Sequence, residues 1–511
     1  MAEQRSVAPT VVVLICGMFI AILNQTMVNV AIPHMMNDLN VSTTTIQWLS
    51  TGFMLANAIM IPISAFLMET ISTRLLFASA MAFFTIGSLL CGIGGVFSII
   101  MFGRVVQAIG AGIMMPLVTN IFLRIFPPDK MGRAMGMMGI AMMFAPAVGP
   151  TFAGYMVEHY SWRILFFIMV PLGAIEVLLT FKYLSNILKL SYPKLDWVGA
   201  IFSSIGFGAL LYGLSEAGSR GWGDSVVDIS IIVGLVFLVF FVYRELAAKA
   251  PMLNLRVFSN LTFTMSTLVS MIVNMAMFGA MLLLPIYVQN IRGYSALDSG
   301  LLLLPGALLM GVMSPISGIL FDKFGVRPLA VIGLTITAVT TYQLTKLTDA
   351  TGYSHLMLIY ALRSFGVSFI MMTIMTEGLN ALPPQLKGHG TAVSNTMRQV
   401  ASSFGTALLV TVMSTRTTEH AANYSNTLTM NNPIASENIG LFEAGVAAVT
   451  GLPAELGGAY AMTILGGLMA KESTIGGIND AFLVATFLTA IGIFFSLFLR
   501  RPKKAPHPKA K

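Results

Sequence analysis

Long apolar runs recur along this chain, and short polar segments separate them. A run of about 20 apolar residues is long enough to cross the hydrocarbon core of a bilayer as an α-helix. Lipid offers no partners to backbone polar groups, so a spanning segment must satisfy its own hydrogen bonds. The pattern therefore predicts an all-α polytopic membrane protein with fourteen transmembrane helices. The runs lie near 10–32, 47–68, 75–96, 100–123, 133–155, 163–183, 197–215, 227–245, 262–285, 297–320, 328–346, 355–378, 391–413 and 479–499.

Composition and charge agree with a membrane protein. Of the 511 residues, 56% are hydrophobic and 10% are charged, against about 25% charged in a soluble protein. The net charge of +8 does not indicate nucleic-acid binding, because 20 of the 29 lysines and arginines fall on one side of the predicted topology. The positive-inside rule makes that side the cytoplasm. We predict a multi-pass protein of the cytoplasmic membrane with both termini in the cytoplasm, its basic segments facing lipid headgroups.

Two parts of the chain echo one another. Arg104 is followed after 23 residues by Pro127-Pro128-(3 residues)-Gly132, and Arg363 is followed after 20 residues by the same arrangement, ending at Gly388. Similar features repeated in one order suggest two homologous six-helix bundles related by an axis along the membrane normal.

This echo divides the chain into predicted domains. Residues 1–183 form an N-terminal six-helix bundle, and 261–499 form a C-terminal one. The linker 184–260 carries the two extra helices. An extracytoplasmic loop at about 414–478 is expected to hold one or two short amphipathic helices, and 500–511 forms a basic cytoplasmic tail.

The residues argue against several kinds of active site. No Gly-Lys pair occurs, so the phosphate-binding loop of an ATP-driven pump is absent. Cys16 and Cys91 both fall inside predicted membrane helices and are expected to be packed free thiols. No cluster of histidine, cysteine and acidic residues indicates a catalytic or metal site. We expect neither an enzyme nor a bound cofactor.

A loop motif follows the predicted tenth helix. Gly318-Ile-Leu-Phe-Asp322-Lys-Phe-Gly325-Val-Arg327 has glycines that permit a tight turn and an aspartate that can cap a helix or pair with the arginine. It resembles the cytoplasmic loop motif of the major facilitator superfamily at every defining position. The resemblance implies a charge latch that holds one conformation and releases it in the other.

The first-half counterpart of this loop is degraded. Glu69 replaces the aspartate, Ser72 replaces a glycine, and Arg74 is what remains of the basic run. These departures put an intact latch in the first half in doubt.

The predicted fifth helix carries a face of small residues. Small side chains let a neighbouring backbone approach closely, and proline bends a helix. The spacing resembles the antiporter motif of major facilitator exporters, with alanine at two places where that family has glycine, and so implies export. The residues are Gly136, Ala145, Gly149, Pro150, Ala153 and Gly154.

Further motifs resemble the fourteen-helix drug:proton antiporters, the QacA- and EmrB-like multidrug efflux branch of this superfamily. The resemblance implies a major facilitator fold of two six-helix bundles with two extra central helices. The motifs are Ser161-Trp162-Arg163-(7 residues)-Pro171-Leu172-Gly173, Asp196-Trp197-(1 residue)-Gly199, Leu284-Pro285-Ile286-Tyr287-Val288-Gln289 and Asn395-Thr396-Met397-Arg398-Gln399-(5 residues)-Gly405.

Arg104 lies in a motif, Arg104-Val-Val-Gln107-Ala-Ile-Gly110, that resembles the fourth-helix motif of proton-driven members. An arginine inside a membrane helix should face the bundle and be paired. The resemblance implies that it tunes the protonation of a nearby acid, and the alternative is a structural arginine bonded to backbone carbonyls. The first-helix motif departs from the family at Asn24, where an aspartate is usual. Because an amide cannot carry a proton on and off, the coupling acid must lie elsewhere.

Glu176 and Glu377 are the candidate coupling acids. Both fall in predicted membrane helices, the sixth and the twelfth. An apolar setting favours the neutral carboxyl, so each could take up a proton near neutrality. The alternative is that Glu176 reaches the headgroups or pairs with Lys182, and that Glu377 is simply interfacial.

The predicted substrate pocket lies between the two bundles. Its candidate residues are Asn24, Gln107, Asn274, Asn395 and Met142. Methionine pairs in the fourth, fifth and twelfth helices would give a flexible lining that suits many apolar shapes. The same methionines could equally face lipid or serve packing.

The predicted function is export of amphipathic drugs or toxic compounds in exchange for protons, with sodium as the alternative ion. Other cargo remains open: a lipid-like compound, a peptide or a metabolite. Because position 24 is not an acid, neutral or zwitterionic cargo is more plausible than strongly cationic cargo. In a host with two membranes an envelope adaptor could be required. The alternative from another class is a sensor or scaffold that moves no cargo.

Overall fold

The computed structural model describes residues 7–41, 43–127, 130–188, 190–191, 196–248, 251, 253–428, 433–451 and 453–499. In these ranges the chain forms sixteen α-helices. They are α1 (Val7–Leu39), α2 (Thr43–Thr70), α3 (Thr73–Ile93), α4 (Phe97–Ile125), α5 (Met131–His159), α6 (Arg163–Tyr183), α7 (Trp197–Arg220), α8 (Ser225–Ala247), α9 (Leu261–Ile286), α10 (Ala296–Phe324), α11 (Val326–Gln343), α12 (Tyr353–Ser368), α13 (Met371–Asn380), α14 (Lys387–Thr427), α15 (Pro433–Thr450) and α16 (Ala454–Ser496).

Thirteen helical stretches of the described chain are long and apolar enough to cross a membrane. The predicted all-helical membrane fold is therefore confirmed. The predicted twelfth span is divided into α12 and α13 by a turn at Phe369 and Ile370. The predicted thirteenth span, near 391–413, lies in α14, which is not among the thirteen stretches because serine, threonine, asparagine and arginine interrupt its apolar positions.

The helices pack in two groups that meet along a long interface. Helices α1 to α6 contact one another, and so do α9 to α14 with α16. Across the interface α5 packs along α10, and α2 and α4 pack on α14. The extra helices α7 and α8 form a pair, and α7 touches both groups through α2 and α14.

Glycines set the close approach of α5 to α10. A Cβ atom on Gly132 would lie 2.4 Å from the carbonyl oxygen of Gly318, and one on Gly136 would lie 2.6 Å from that of Ser314. A Cβ on Gly149 would meet the Thr26 hydroxyl on α1 at 2.2 Å, whereas Gly154 has room, with its nearest neighbour at 3.7 Å. Glycines of α5 thus lie against the backbone of α10 at two of these four positions and against a side chain of α1 at a third.

The described residues of the predicted extracytoplasmic segment, about 414–478, are mostly helical and belong to α14, α15 and α16. Helix α14 continues to Thr427, α15 follows, and α16 begins at Ala454. Where α14 and α16 lie side by side, a Cβ on Gly477 would lie 2.2 Å from the Thr417 hydroxyl, whereas Gly440, Gly445, Gly466 and Gly467 have no neighbour within 4 Å. The predicted tail 500–511 falls outside the described residues.

Candidate functional site

A cavity of about 230 Å³ lies between the two groups of helices. Helices α1, α2, α4 and α5 line one wall, and α9, α10, α12, α13 and α14 line the other. A cavity shared by both halves is where alternating access would expose cargo to either side of the membrane.

Methionine dominates the apolar part of the lining. Its unbranched, polarizable side chain adapts to irregular shapes. The predicted clusters contribute Met114, Met115, Met142 and Met371, and α1, α2, α9 and α10 add others. These others are Met18, Met54, Met277, Met281 and Met310.

The polar part of the lining carries positive charge. Asn274 and Asn395, both predicted for the pocket, lie in it beside Arg363 and Arg398, which were not. No aspartate or glutamate belongs to the lining as the described residues define it. Two buried arginines with no acid make the cavity electropositive. The sequence feature that could have identified Arg398 as a pocket residue is its place in the motif that begins at Asn395.

Arg398 has hydrogen-bonding capacity to spare. Its Nη2 atom donates to Asn395 Oδ1 at 3.0 Å, and its Nη1 atom contacts the Met375 sulfur at 3.5 Å. Its Nε atom is buried without a hydrogen-bond partner, and so is the amide nitrogen of Asn395. Arg363 is held more fully, donating from Nε to the Thr341 hydroxyl at 3.2 Å and from Nη2 to the Ala276 carbonyl.

Arg104 lies outside the lining, in a closed network. It is fully buried, and its Nη1 donates to Asn24 Oδ1 at 3.1 Å and to Gln107 Oε1 at 2.9 Å, while its Nε donates to the Leu49 carbonyl. None of the ion pairs among the described residues includes Arg104. Asn24 and Gln107, predicted as pocket residues, therefore bind this arginine and are absent from the lining.

Glu176 is buried on α6, a helix that packs against α1 and α3. Its Oε1 atom has no hydrogen-bond partner. Glu176 does not line the cavity. A proton bound by Glu176 would therefore be separate from cargo bound in the cavity.

Glu377 is also buried, on the short helix α13. This helix packs on α9 within its own half and on α5 of the other half. Glu377 is likewise absent from the cavity lining. The helix that carries Glu377 therefore contacts both halves.

Asp322 joins the two halves at the predicted cytoplasmic end. Its carboxylate accepts hydrogen bonds from the backbone N–H groups of Gly132, at 2.9 Å, and Arg133, at 3.2 Å. These groups lie in the first turn of α5, where a negative charge is favoured by the unpaired N–H groups and the helix dipole. We call this the Asp322 contact, comprising Gly132, Arg133, Gly318 and Asp322.

Glu69 joins the halves differently. Its carboxylate lies 3.3 Å from His389 Nε2 in the first turn of α14 and accepts a hydrogen bond from the Ser191 hydroxyl at 2.7 Å. We call these three residues the Glu69 contact. They line a second, polar cavity of about 170 Å³ together with Asn120 and Arg124. The degraded first loop motif thus still supplies an acid that reaches the other half.

The turns of the two loop motifs differ in backbone conformation. Gly325 has φ +84° and ψ 178°, a region that only glycine adopts readily. Ser72, at the corresponding place in the first copy, has φ −60°, which suits any residue. Arg74 there donates to the Leu184 carbonyl at 2.6 Å and so holds the start of the linker.

Two motifs of the drug-efflux branch serve local structure. Trp162 Nε1 and Arg163 both donate to Asp38, at 3.1 and 2.6 Å. The hydrogen bond from Arg163, and then that from Trp162, lowers the pKa of the Asp38 carboxyl. Asp196 caps α7 by accepting from Gly199 N. Burial opposes its ionisation, but hydrogen bonds from Arg244 and Gly199 N outweigh this and lower the pKa of Asp196.

Comparison with known proteins identifies the family. The Major Facilitator Superfamily profile matches residues 14–406. The chain is 49% identical over 506 residues to the uncharacterized transporter YhcA of Bacillus subtilis, covering 98% of this chain and 94% of YhcA. It is 36% identical to the lincomycin resistance protein LmrB of Listeria monocytogenes, covering 95% of each. It is 30% identical to the multidrug export protein EmrB of Escherichia coli, covering 82% of each.

A solved structure agrees on the fold. The human organic anion transporter MFSD10 superposes with a TM-score of 0.65, covering 96% of this chain and 100% of that one. At 12% sequence identity this likeness concerns the fold alone.

Proposed function

Because this chain belongs to the Major Facilitator Superfamily, we propose that it is a secondary active exporter of small amphipathic compounds, drugs and toxic molecules among them, working across the cytoplasmic membrane in exchange for protons. The observation that carries the proposal is the methionine-rich cavity shared by the two halves. An adaptable lining accepts many apolar shapes. The family consists of transporters rather than enzymes.

Similar proteins support a drug-like cargo. LmrB is named for lincomycin resistance and EmrB for multidrug export. Lincomycin is therefore one cargo to test for this chain, beside generic amphipathic probes.

Transport requires the two halves to separate at one end of the cavity and then at the other. The Asp322 and Glu69 contacts join them at the end that the sequence predicts to be cytoplasmic. Cargo arriving from the cytoplasm must break both contacts to enter. The proposed orientation, with both termini inside, makes these contacts the inner gate.

Proton coupling needs an acid that the first helix does not supply. Asn24 accepts a hydrogen bond from Arg104 where the branch usually has an aspartate, and an amide carries no exchangeable charge. We assign coupling to Glu176 and Glu377, with Arg104 holding the N-terminal half together. The driving force is adequate, since each charge that crosses 100 mV contributes about 2.3 kcal/mol.

The test is efflux from cells that express the chain and have been loaded with fluorescent amphipathic probes. The panel includes cationic ethidium and neutral and anionic dyes, with lincomycin susceptibility measured in parallel. We expect efflux of at least one class that collapses with a protonophore and persists without sodium. Efflux that depends on sodium instead would overturn the proton assignment.

The coupling residues are tested by neutral variants. Glu176→Gln and Glu377→Gln, singly and together, are compared with Glu472→Gln, an exposed glutamate on α16. The double variant should lose protonophore-sensitive efflux, whereas Glu472→Gln should retain it. Full coupled efflux in the double variant would remove both residues from the mechanism.

Absence of all efflux from verified membrane-inserted protein would favour the sensor or scaffold. Transport of a lipid, a peptide or a metabolite, but of no drug-like probe, would keep the exporter and change its cargo.

A further inference from the structure

The charge of the central cavity points to the chemical class of its cargo. We propose that Arg398, with Asn395, binds the anionic group of an amphipathic cargo such as a carboxylate or sulfonate. This proposal rests on the proposed function, because the molecule bound in the cavity is taken to be the molecule that is transported.

The first support is the unused hydrogen-bonding capacity at this place. Arg398 is 7% exposed and Asn395 is 4% exposed. A guanidinium carries five N–H donors in a planar fork, and here one donates to an amide oxygen and one to a sulfur, while Nε has no partner. The Asn395 amide nitrogen beside it also lacks an acceptor. Two neighbouring buried groups therefore offer donors and need an acceptor.

The second support is the contrast with the other two membrane arginines. Arg104 is enclosed by Asn24, Gln107 and a backbone carbonyl, and it does not line the cavity. Arg363 lines the cavity, but its Nε and Nη2 already have oxygen acceptors. Arg398 alone of the three combines a place in the lining with a fully buried nitrogen that has no partner.

The third support is the sign of the electrostatic potential. Two arginines and no acid among the described lining residues attract an anion and repel a cation. In a cavity walled by methionines the charges are poorly screened, so this discrimination is stronger than at an open surface. Specificity then comes from the unfavourable charge as well as from the favourable one.

The rest of the lining fits an amphipathic anion. Met277, Met281 and Met310 stand in the wall formed by the same half as Arg398, and α1, α2 and α4 present further methionines from the opposite wall. An apolar body would pack among these side chains while its charged group meets the guanidinium fork, which matches carboxylates and sulfonates bidentately.

The test uses two probes that differ in charge but hardly in shape, 2-naphthoate and 2-naphthamide. Their binding to the purified full chain in lipid nanodiscs is measured by isothermal titration calorimetry. We expect the naphthoate to bind at least about tenfold more tightly, since a buried hydrogen-bonded charge pair is worth that much or more. Arg398→Gln should abolish the preference and leave naphthamide affinity unchanged, which also shows that the cavity is intact.

Two further variants sharpen the result. Asn395→Asp is close to isosteric and places a carboxylate on the donors, so it should weaken naphthoate binding as strongly as Arg398→Gln does. Arg256→Gln, which removes an exposed arginine before α9, should keep the full preference.

Equal affinity for the two probes, no measurable binding of either, or an unchanged preference in Arg398→Gln would each overturn the proposal. Binding is measured without transport, so its failure and that of the proposed function can be told apart. A preserved preference without any efflux would leave the anion site standing and remove the exporter. Coupled efflux of probes regardless of their charge, together with equal binding of naphthoate and naphthamide, would keep the exporter and remove the anion site.

Discussion

The Asp322 contact and the Glu69 contact occupy equivalent places in the two halves but are built differently. Asp322 binds backbone N–H groups at the start of α5, and Gly132 and Gly318 bring the two backbones together there. Glu69 binds a histidine side chain at the start of α14, and Gly388 meets the Asn120 side chain. A contact between backbones has one permitted geometry, whereas a contact between side chains can adjust. We infer that the Asp322 contact sets the closed position of the halves and that the Glu69 contact follows it.

The largest difference is expected from adding one methyl group to each contact. A Cβ on Gly132 would lie 2.4 Å from the Gly318 oxygen, so Gly132→Ala must push the halves apart. Overpacking of this kind costs about 1–3 kcal/mol, which corresponds to about 5- to 150-fold against the closed arrangement. Interspin distances between labels on α5 and α10 would measure the shift.

Gly388→Ala is the matched control. Its Cβ would lie 3.1 Å from the Asn120 amide nitrogen, a side-chain atom that can move. The distances should stay near those of the unmodified protein. Equal shifts in the two variants would contradict the difference between the contacts.

The second difference concerns the turns. Gly325→Ser places a side chain in a backbone region that costs about 1–3 kcal/mol for residues other than glycine, so the variant should unfold at a lower temperature and transport more slowly. The reverse change, Ser72→Gly, relieves nothing because φ is −60° there. Thermal unfolding in nanodiscs measures both. A loss of stability in Ser72→Gly as large as that in Gly325→Ser would show that the backbone angle is not the cause.

Neutralising the two acids should give a smaller effect. Asp322→Asn keeps one acceptor oxygen and puts an NH2 group opposite the other backbone N–H donor, so one hydrogen bond is lost and the other is no longer charge-assisted. Because the residue is exposed, we expect a loss of about 1 kcal/mol, or about fivefold in efflux rate. Glu69→Gln can accept from His389 through its amide oxygen and donate from its NH2 group to the Ser191 hydroxyl, which can accept, so it should change the rate less than about twofold. Efflux normalised to membrane abundance is the measurement. A larger loss in Glu69→Gln would reverse the order of the two contacts.

The smallest effect is expected for an ion pair inside one half. Asp38 binds Arg163 and Trp162, all of the N-terminal half, so Asp38→Asn should leave the efflux rate unchanged. Since the pKa of Asp38 is lowered on folding, its stabilisation is present above the ordinary aspartate range and is lost as pH falls through the folded value. The variant should unfold no more than about 2 °C lower at pH 7, because an exposed pair contributes little. The difference in unfolding temperature between the two proteins should close as pH falls below the ordinary aspartate range. A slower efflux rate would mean that contacts within a half also govern access.

Part of this arrangement could be predicted from the sequence. Apolar run length gave the helical membrane fold, and the spacing of the loop motif gave the turn at Gly325 and a capping role for Asp322. The Glu69 contact could not be predicted in the same way. Its partner His389 lies 320 residues away, and no local spacing encodes such a distance. Here the loss of the motif's aspartate and glycine suggested a lost contact, yet a longer acid and an ordinary backbone angle preserved one.

The candidate site shows the same limit. Asn274, Asn395 and Met142 lie in the cavity lining, but Asn24 and Gln107, on the same kind of helix face, bind Arg104 behind it. Helical periodicity gives a buried face without saying whether that face meets another helix or an opening. In 414–478 the length of the helices was not predicted: the sequence suggested one or two short amphipathic helices, whereas α14 continues to Thr427 and α16 begins at Ala454.

Helix α16 is longer than a helix needs to be to cross the membrane. Helix α16 has 43 residues, so at 1.5 Å per residue it is about 65 Å long, roughly twice the thickness of the hydrocarbon core. It packs on α9 and α11 of the C-terminal half and continues past them beside α14 towards α15. Because the helix is long, a small rotation produces a large displacement at its end. A rotation of the membrane-embedded part by about 10° would move a point about 30 Å outside the membrane by about 5 Å. If the C-terminal half rotates during transport, an antibody bound to this end of α16 should therefore favour one state of the transporter without entering its cavity.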